Sequence, residues 1–348
     1  MRSKRSFFVN AAIFAVIFAC SLFAAPALLS AQQPYKVIDH WKVGGEGWWD
    51  YLTVDGGAHR LYIARGMQIQ VVDTATGKLA GTITGLHGVH GVALDTAGKF
   101  GYISDGGGNA VVVFDRATLA TVATIPAGTG PDSILFEPAT QTVWAFNGRS
   151  KNATVIDAAS RKVVATIALP GGPEAPATDG RGMIYDNIED KNEIVRLDAH
   201  TNKLTAEWPV TGCDGPGGLA MDADGERLFA TCDGKKMAVV DAKTGKTIAT
   251  AAIGDGPDAA GWDGKDKLAF ASCGEGVLAV IDAAAPDYKT IETLATQRSA
   301  RTMAYDAAAD RIYTVAAEFG PRPAATAENP RPRPAMVPGT FTVIVVGR

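Results

Sequence analysis

The sequence predicts an all-β fold, a seven-bladed β-propeller of four-stranded blades, and three observations carry that prediction. First, a carboxylate closes a short apolar run and opens a turn seven times, at Asp55, Asp95, Glu137, Asp179, Asp222, Asp263 and Asp306, at intervals of 40, 42, 42, 43, 41 and 43 residues. Second, Asp73, Asp115, Asp157, Asp198, Asp241 and Asp282 recur out of phase with that series, at intervals of 42, 42, 41, 43 and 41. Two interleaved series with one period make each unit of about 40 residues a single supersecondary element, the length of a propeller blade. Third, the run Phe341–Val346 matches the third strand of the other units and the chain then stops, while Tyr35–Val43 matches a fourth strand. Pairing residues 35–43 with 341–346 closes the ring and removes both exposed edges.

Taken in order, residues 1–31 join a basic start (Arg2, Lys4, Arg5) to an apolar stretch and a small-residue exit at Leu29-Ser30-Ala31. This reads as a secretory signal peptide. Asn10 and Pro26 interrupt the stretch and argue against a membrane anchor, and bulky Phe18 fits a lipoprotein box at Cys20 poorly. The expectation is an exported protein, periplasmic or on the cell surface, with no membrane span after cleavage. Loss of three basic residues leaves 30 Lys and Arg against 37 Asp and Glu, a net charge of −7, so a nucleic-acid partner is excluded. The repeat runs without a linker, which makes residues 32–348 one domain, expected as a monomer.

The unit Gly130–Pro170 shows how a blade is written. Ser133–Phe136, Thr142–Phe146, Ala153–Asp157 and Lys162–Ile167 are four short β-branched and aromatic runs separated by Gly, Pro, Asn and Asp turns. In the first strand, a large residue precedes the turn carboxylate (Val54, Leu94, Phe136, Met221, Trp262, Tyr305) and a small one mostly precedes that. This alternation suits an inner strand wedged between neighbouring blades. Both carboxylate series read as turn residues that accept backbone amides, with Gly77 and Gly245 supplying a positive φ at hairpin tips. Cys213, Cys232 and Cys273 form no Cys-x-x-Cys pair, which excludes zinc ribbons and covalent c-type haem. In an oxidising compartment they predict one disulfide and one free thiol, with the pairing open. One insertion breaks the period, at about residues 319–338, where six prolines and three arginines favour extended backbone. It is expected to project from the channel face as a lid, a docking segment or a flexible hairpin.

At Tyr102-Ile103-Ser104-Asp105, Asn109–Asp115, Val122–Gly128 and Gly130-Pro131 the chain resembles the YVTN-repeat (YncE-like) family. Related phrases recur in every unit, so the resemblance covers residues 35–348. No tetrad reads Tyr-Val-Thr-Asn; the equivalents include Tyr62–Arg65, Trp144–Asn147 and Phe229–Cys232. The resemblance implies an exported seven-bladed propeller and no shared catalytic signature.

Loops entering the first strand of each blade ring the mouth of the central channel. Five residues before each turn carboxylate stand Asp50, His90, Asp132, Glu174, Gly217, Asp258 and Arg301, and the neighbouring column reads Arg65, Asp105, Asn147, Asn187, Cys232, Cys273 and Ala316. Repetition serves the scaffold, so the column that differs from blade to blade is the candidate ligand site. Its bland competitor is loop capping. Asp132, Glu174 and Asp258 are hard donors suited to Ca²⁺ or Mg²⁺, and His90 can act as a base or a softer ligand. Two functions are compatible with such a mouth. One is a non-catalytic binding or scaffold protein that presents it, with Trp48 and Trp49 beside Asp50, to a small ligand or a protein. The other is a metal-dependent hydrolase of lactonase type, the cation polarising a carbonyl. No nucleophile elbow, P-loop or zinc-protease motif occurs, which favours the first.

Overall fold

The computed structural model describes Met1, residues 33–326, Pro330 and residues 332–348. The expected signal segment, Met1 aside, lies outside the described residues. The chain divides into Met1–Gln33 and Pro34–Arg348, and the second unit holds all the repeats.

Seven four-stranded antiparallel sheets make seven blades. Blade one runs Trp49–Asp55, Arg60–Arg65, Gln68–Asp73 and Leu79–Ile83, and blades two to six repeat the order with their first strands at Val89–Leu94, Pro131–Glu137, Pro173–Thr178, Leu219–Asp222 and Pro257–Asp263. Blade seven is composite: Met303–Asp306, Arg311–Ala316, Thr342–Gly347 and then Lys36–Lys42 from the other end of the chain. Lys36 pairs with Gly347 and Lys42 with Thr342, which is the expected closure. Arg348 clamps the seam, its guanidinium 2.6 Å from Asp266, 2.9 Å from Asp310 and 4.6 Å above the Tyr35 ring.

The core lies between blades rather than within one sheet, because each strand exposes alternate faces to its two neighbours. Large residues before the turn carboxylates pack on second-strand aromatics of the preceding blade: Phe136 on Tyr102, Trp262 on Phe229 and Tyr305 on Phe270, with ring centroids 6.4, 5.1 and 5.2 Å apart, the first two pairs stacked and the third tilted. Small residues beside them make room for this bulk. Every carboxylate of the first series accepts a backbone amide of its own turn, from Ala58 on Asp55 to Ala308 on Asp306. The second series does the same, and the hydroxyls of Thr76, Ser160 and Thr118, which donate to the same carboxylates, together with these amides hold the Asp73, Asp157 and Asp115 carboxyls below their usual range. At the hairpin tips Gly77 and Gly245 take φ of 69° and 72°, and Leu119 and Arg161 take the same left-handed position at 62° and 57°.

Two details position the site. First, first-strand register slips between Trp49 and Leu52, Val89 and Val92, Pro131 and Ile134, and Pro173 and Pro176. Each slip leaves Asp50, His90, Asp132 or Glu174 on an unpaired stretch, and such irregularities re-aim side chains. Second, the insertion of blade seven begins at a single antiparallel bridge between Phe319 and Met336: Gly320 N–H donates to the Ala335 carbonyl at 2.8 Å and Val337 N–H to the Glu318 carbonyl at 2.8 Å. Cys213 and Cys232 form the disulfide, at a Cα separation of 5.2 Å, and Cys273 is the buried free thiol.

Candidate metal centre

Three consecutive blades bring Asp50, His90 and Asp132 to one point. His90 Nδ1 lies 2.8 Å from Asp50 Oδ2 and 3.2 Å from Asp132 Oδ1, and one donor atom from each residue falls within 4.8 Å of the others. The edge of a tetrahedron with metal–ligand bonds of about 2.0–2.1 Å is roughly 3.3 Å, so the two separations from His90 are near those of ligands on a small divalent cation. One imidazole with two carboxylates suits Zn²⁺ or Mn²⁺ better than Ca²⁺. Of the hard-donor set Asp132, Glu174 and Asp258, the triad takes Asp132 alone; Glu174 meets Tyr51 and Asp258 meets Arg301. The residues present therefore fit a metal, with a donor set softer than Ca²⁺ or Mg²⁺ prefers.

The other mouth carboxylates stand close enough to be felt. Tyr51 O–H reaches Glu174, 3.2 Å from its backbone carbonyl and 3.4 Å from Oε1, while Asp258 pairs with the Arg301 guanidinium. Burial, with the Asp50 and Asp258 charges added, pushes the Asp132 carboxyl up to about 6, although His90 pulls the other way. Burial, then Asp132 and Asp258, push Glu174 up to about 8. His90 is raised, first through its bond to Asp50. Several carboxylates thus compete for few cations, an arrangement that a bound divalent ion relieves. Below the mouth, first strands of all seven blades, from Tyr51 in blade one to Met303 in blade seven, enclose a cavity of about 160 Å³.

The neighbouring column is built differently. Arg65 is 1% exposed and its guanidinium donates to the carbonyls of Gly47, of Gly45 at 2.8 Å and of Gly44 at 3.5 Å. Asp105 is buried and accepts from His87 N and Nδ1, both at 2.9 Å. Asn147 Nδ2 donates to Asn152 Oδ1 at 2.8 Å and Thr154 at 3.0 Å inside its own hairpin. Asn187 Nδ2 reaches across to the Gly217 carbonyl of blade five at 2.7 Å. These four tie loops and blades together. Trp49 is buried against Phe341 at 5.3 Å, whereas Trp48 stays exposed and stacks on Phe319 at 5.4 Å.

Counting from the turn carboxylates also misplaced one residue and hid another. The turn after Asp179 is one residue shorter than that after Glu137, since Asp179 N–H bonds Met183 whereas Glu137 pairs with Thr142. Ile188, paired with Pro173, therefore stands where Asn147 stands in blade three, paired with Pro131. Asn187 moves back beside Thr231, and Asp186 occupies the position that is Ala145, Ala230 and Ala271 elsewhere. Asp186 is fully buried, and neither carboxyl oxygen has a hydrogen-bond partner among the described residues. Burial first, then Glu174 and Asp132, raise it well above the usual carboxylate value, which favours its neutral form. The available signal was one ionisable residue inside the apolar run Met183–Ile188.

No family model and no curated protein sequence matches the chain. Among solved structures it is similar to Kuenenia stuttgartiensis hydrazine synthase, with a TM-score of 0.68 and 15% identity over 76% of this chain and 91% of that chain. At that identity the likeness shows the fold, and the chain is a seven-bladed β-propeller.

Proposed function

We propose that this chain is an exported binding propeller of the YVTN-repeat (YncE-like) type whose channel mouth holds a divalent cation through Asp50, His90 and Asp132, presenting it to a small ligand or a partner protein. The observation that carries this reading is the convergence of one imidazole nitrogen and two carboxylate oxygens from three blades. When bound, the cation would supply an electrophilic centre with open positions, because three protein ligands leave at least one free. The chain's own residues do the rest. The backbone irregularities aim the ligands, Tyr51 orients Glu174, and Arg301 keeps Asp258 occupied so that it does not compete for the metal.

Calorimetry on the protein stripped with EDTA is the test. Zn²⁺ or Mn²⁺ should bind at one site, more tightly than Ca²⁺ or Mg²⁺, and His90→Ala or Asp132→Asn should weaken binding by about tenfold or more. Absence of binding by all four cations overturns the reading. A second reading, metal-dependent hydrolysis of lactone type, draws on Glu174, whose carboxyl is pushed up to about 8 by burial and the Asp132 charge. Its mark is cation-dependent lactone turnover that Glu174→Gln removes.

A further inference from the structure

Beyond the triad, the described ends of the Pro/Arg-rich insertion, at residues 319–322 and 333–334, line a second space with different chemistry. A cleft of about 390 Å³ is lined by Trp48, Trp49, Phe319, Arg301, Arg322 and Arg333, together with Ser299 and Pro334. It opens into a larger space that shares Arg301, Phe319 and Arg322 with it. Among the described residues, three guanidiniums and no carboxylate line the smaller cleft, in a protein whose net charge is −4. Arg301 forms an ion pair, with Asp258; among the described residues Arg322 and Arg333 form none. Glu318 borders only the outer space.

The aromatic side is preorganised. Trp48 stacks on Phe319 at an interplanar angle of 18°, Phe319 lies 5.9 Å from Trp49, and Trp49 rests on buried Phe341. Arg333 lies 5.3 Å over the Trp48 ring, a cation–π contact that leaves its charge unneutralised. Planar guanidinium forks recognise planar anions bidentately, an indole face takes a flat ring, and the volume falls in the range of about 300–1,000 Å³ typical of small-molecule sites. We propose that this cleft is a binding site for a small planar organic anion, an aromatic ring bearing a carboxylate or phosphate, with the ring against the wall formed by Trp48, Trp49 and Phe319 and the anionic group on Arg322 and Arg333. Arg301 then links the two sites, one guanidinium facing the ligand while its partner Asp258 belongs to the acidic mouth. The site does not rest on the cation.

Tryptophan fluorescence of the full chain, titrated in excess EDTA, tests it with four probes. Phthalate and phenyl phosphate should quench saturably, the tighter of the two identifying the anionic group, while inorganic phosphate and benzyl alcohol, each carrying half the recognition, should bind about tenfold more weakly or not at all. Arg322→Ala and Arg333→Ala should each weaken the better probe by about tenfold, and Trp48→Ala should weaken it without changing the preference for anions. All three side chains are exposed, so a thermal melt of each variant should match the parent. Quenching without saturation by either aromatic anion, or affinities unchanged in both arginine variants, overturns the proposal. Because EDTA is present throughout, failure here leaves the cation reading untouched, and failure of the cation reading leaves this one standing.

Discussion

Metal-free protein taken from about pH 5 to about pH 8.5 should lose stability, and a saturating divalent cation should restore it. The Asp132 carboxyl is pushed up to about 6 and that of Glu174 to about 8, so the folded chain keeps protons that the unfolded chain releases near about pH 4. A raised carboxyl value makes the folded state the stronger proton binder. Its stabilising effect is complete below about pH 4 and is lost as the pH climbs through 6 and then 8. His90 acts in the same direction, since its raised value contributes stability below about 6.5 that disappears above the folded value. Discounted for partial exposure, the combined effect is on the order of 3 kcal/mol, or roughly 5 °C in melting temperature for a domain of this size. The bonded turn carboxylates, held low, act in a separate window near and below about pH 4. A cation at about a hundred times its dissociation constant returns about 2.7 kcal/mol. Asp186→Ala, which installs the residue found at the matching position of three other blades, should raise stability at pH 7 by about 1–3 kcal/mol, since it removes a buried carboxyl without a partner. Thermal melts in EDTA and in Zn²⁺ across this range decide the matter; a flat EDTA profile sinks the electrostatic account of the mouth.

Arg65→Ala should destabilise the fold by about 3 kcal/mol in urea unfolding, and Arg65→Lys should recover little of it. Burial pulls the Arg65 guanidinium down to about 10, and it has no carboxylate partner among the described residues; its neighbours are three glycine carbonyls and the Phe341 ring, 3.7 Å from the guanidinium carbon. Truncation orphans those carbonyls and opens a cavity under the loop that delivers Trp48 and Trp49. A lysine offers a point charge where the loop requires a planar fork. If Arg65 instead served the ligand, the variant would keep its unfolding midpoint and lose binding only.

The architecture was legible because one packing problem is solved seven times, and each solution leaves its turn carboxylate, and most of them a large–small pair, in the sequence. The mouth column was legible as a position for the opposite reason, that Asp50, His90, Asp132, Glu174 and Arg301 do not agree with one another. Which of them meet was not legible, because convergence depends on backbone slips at Asp50, His90 and Asp132 that leave no residue signature. Asp186 escaped because a turn one residue short moved every later position of blade four by one. In a strand, one residue is the difference between its two faces. Arg65 and Asp105 carry charge and so looked like ligand groups; each instead fastens a loop from within.

The seam in blade seven also has a kinetic meaning. Six blades consist of strands joined by short turns, and their hairpins can form as soon as their own residues are present. The seventh waits for Lys36–Lys42 to find Thr342–Gly347, a contact between segments separated by nearly the whole sequence. Such closure is slow, because loop entropy is spent before the pairing returns it. Until then Thr342–Gly347 presents an unpaired edge, all six of its residues buried in the finished ring, to any other strand in reach. The same long contact slows the reverse process: Arg348 and its carboxylates hold the last piece to dock, so they set how often a finished ring reopens.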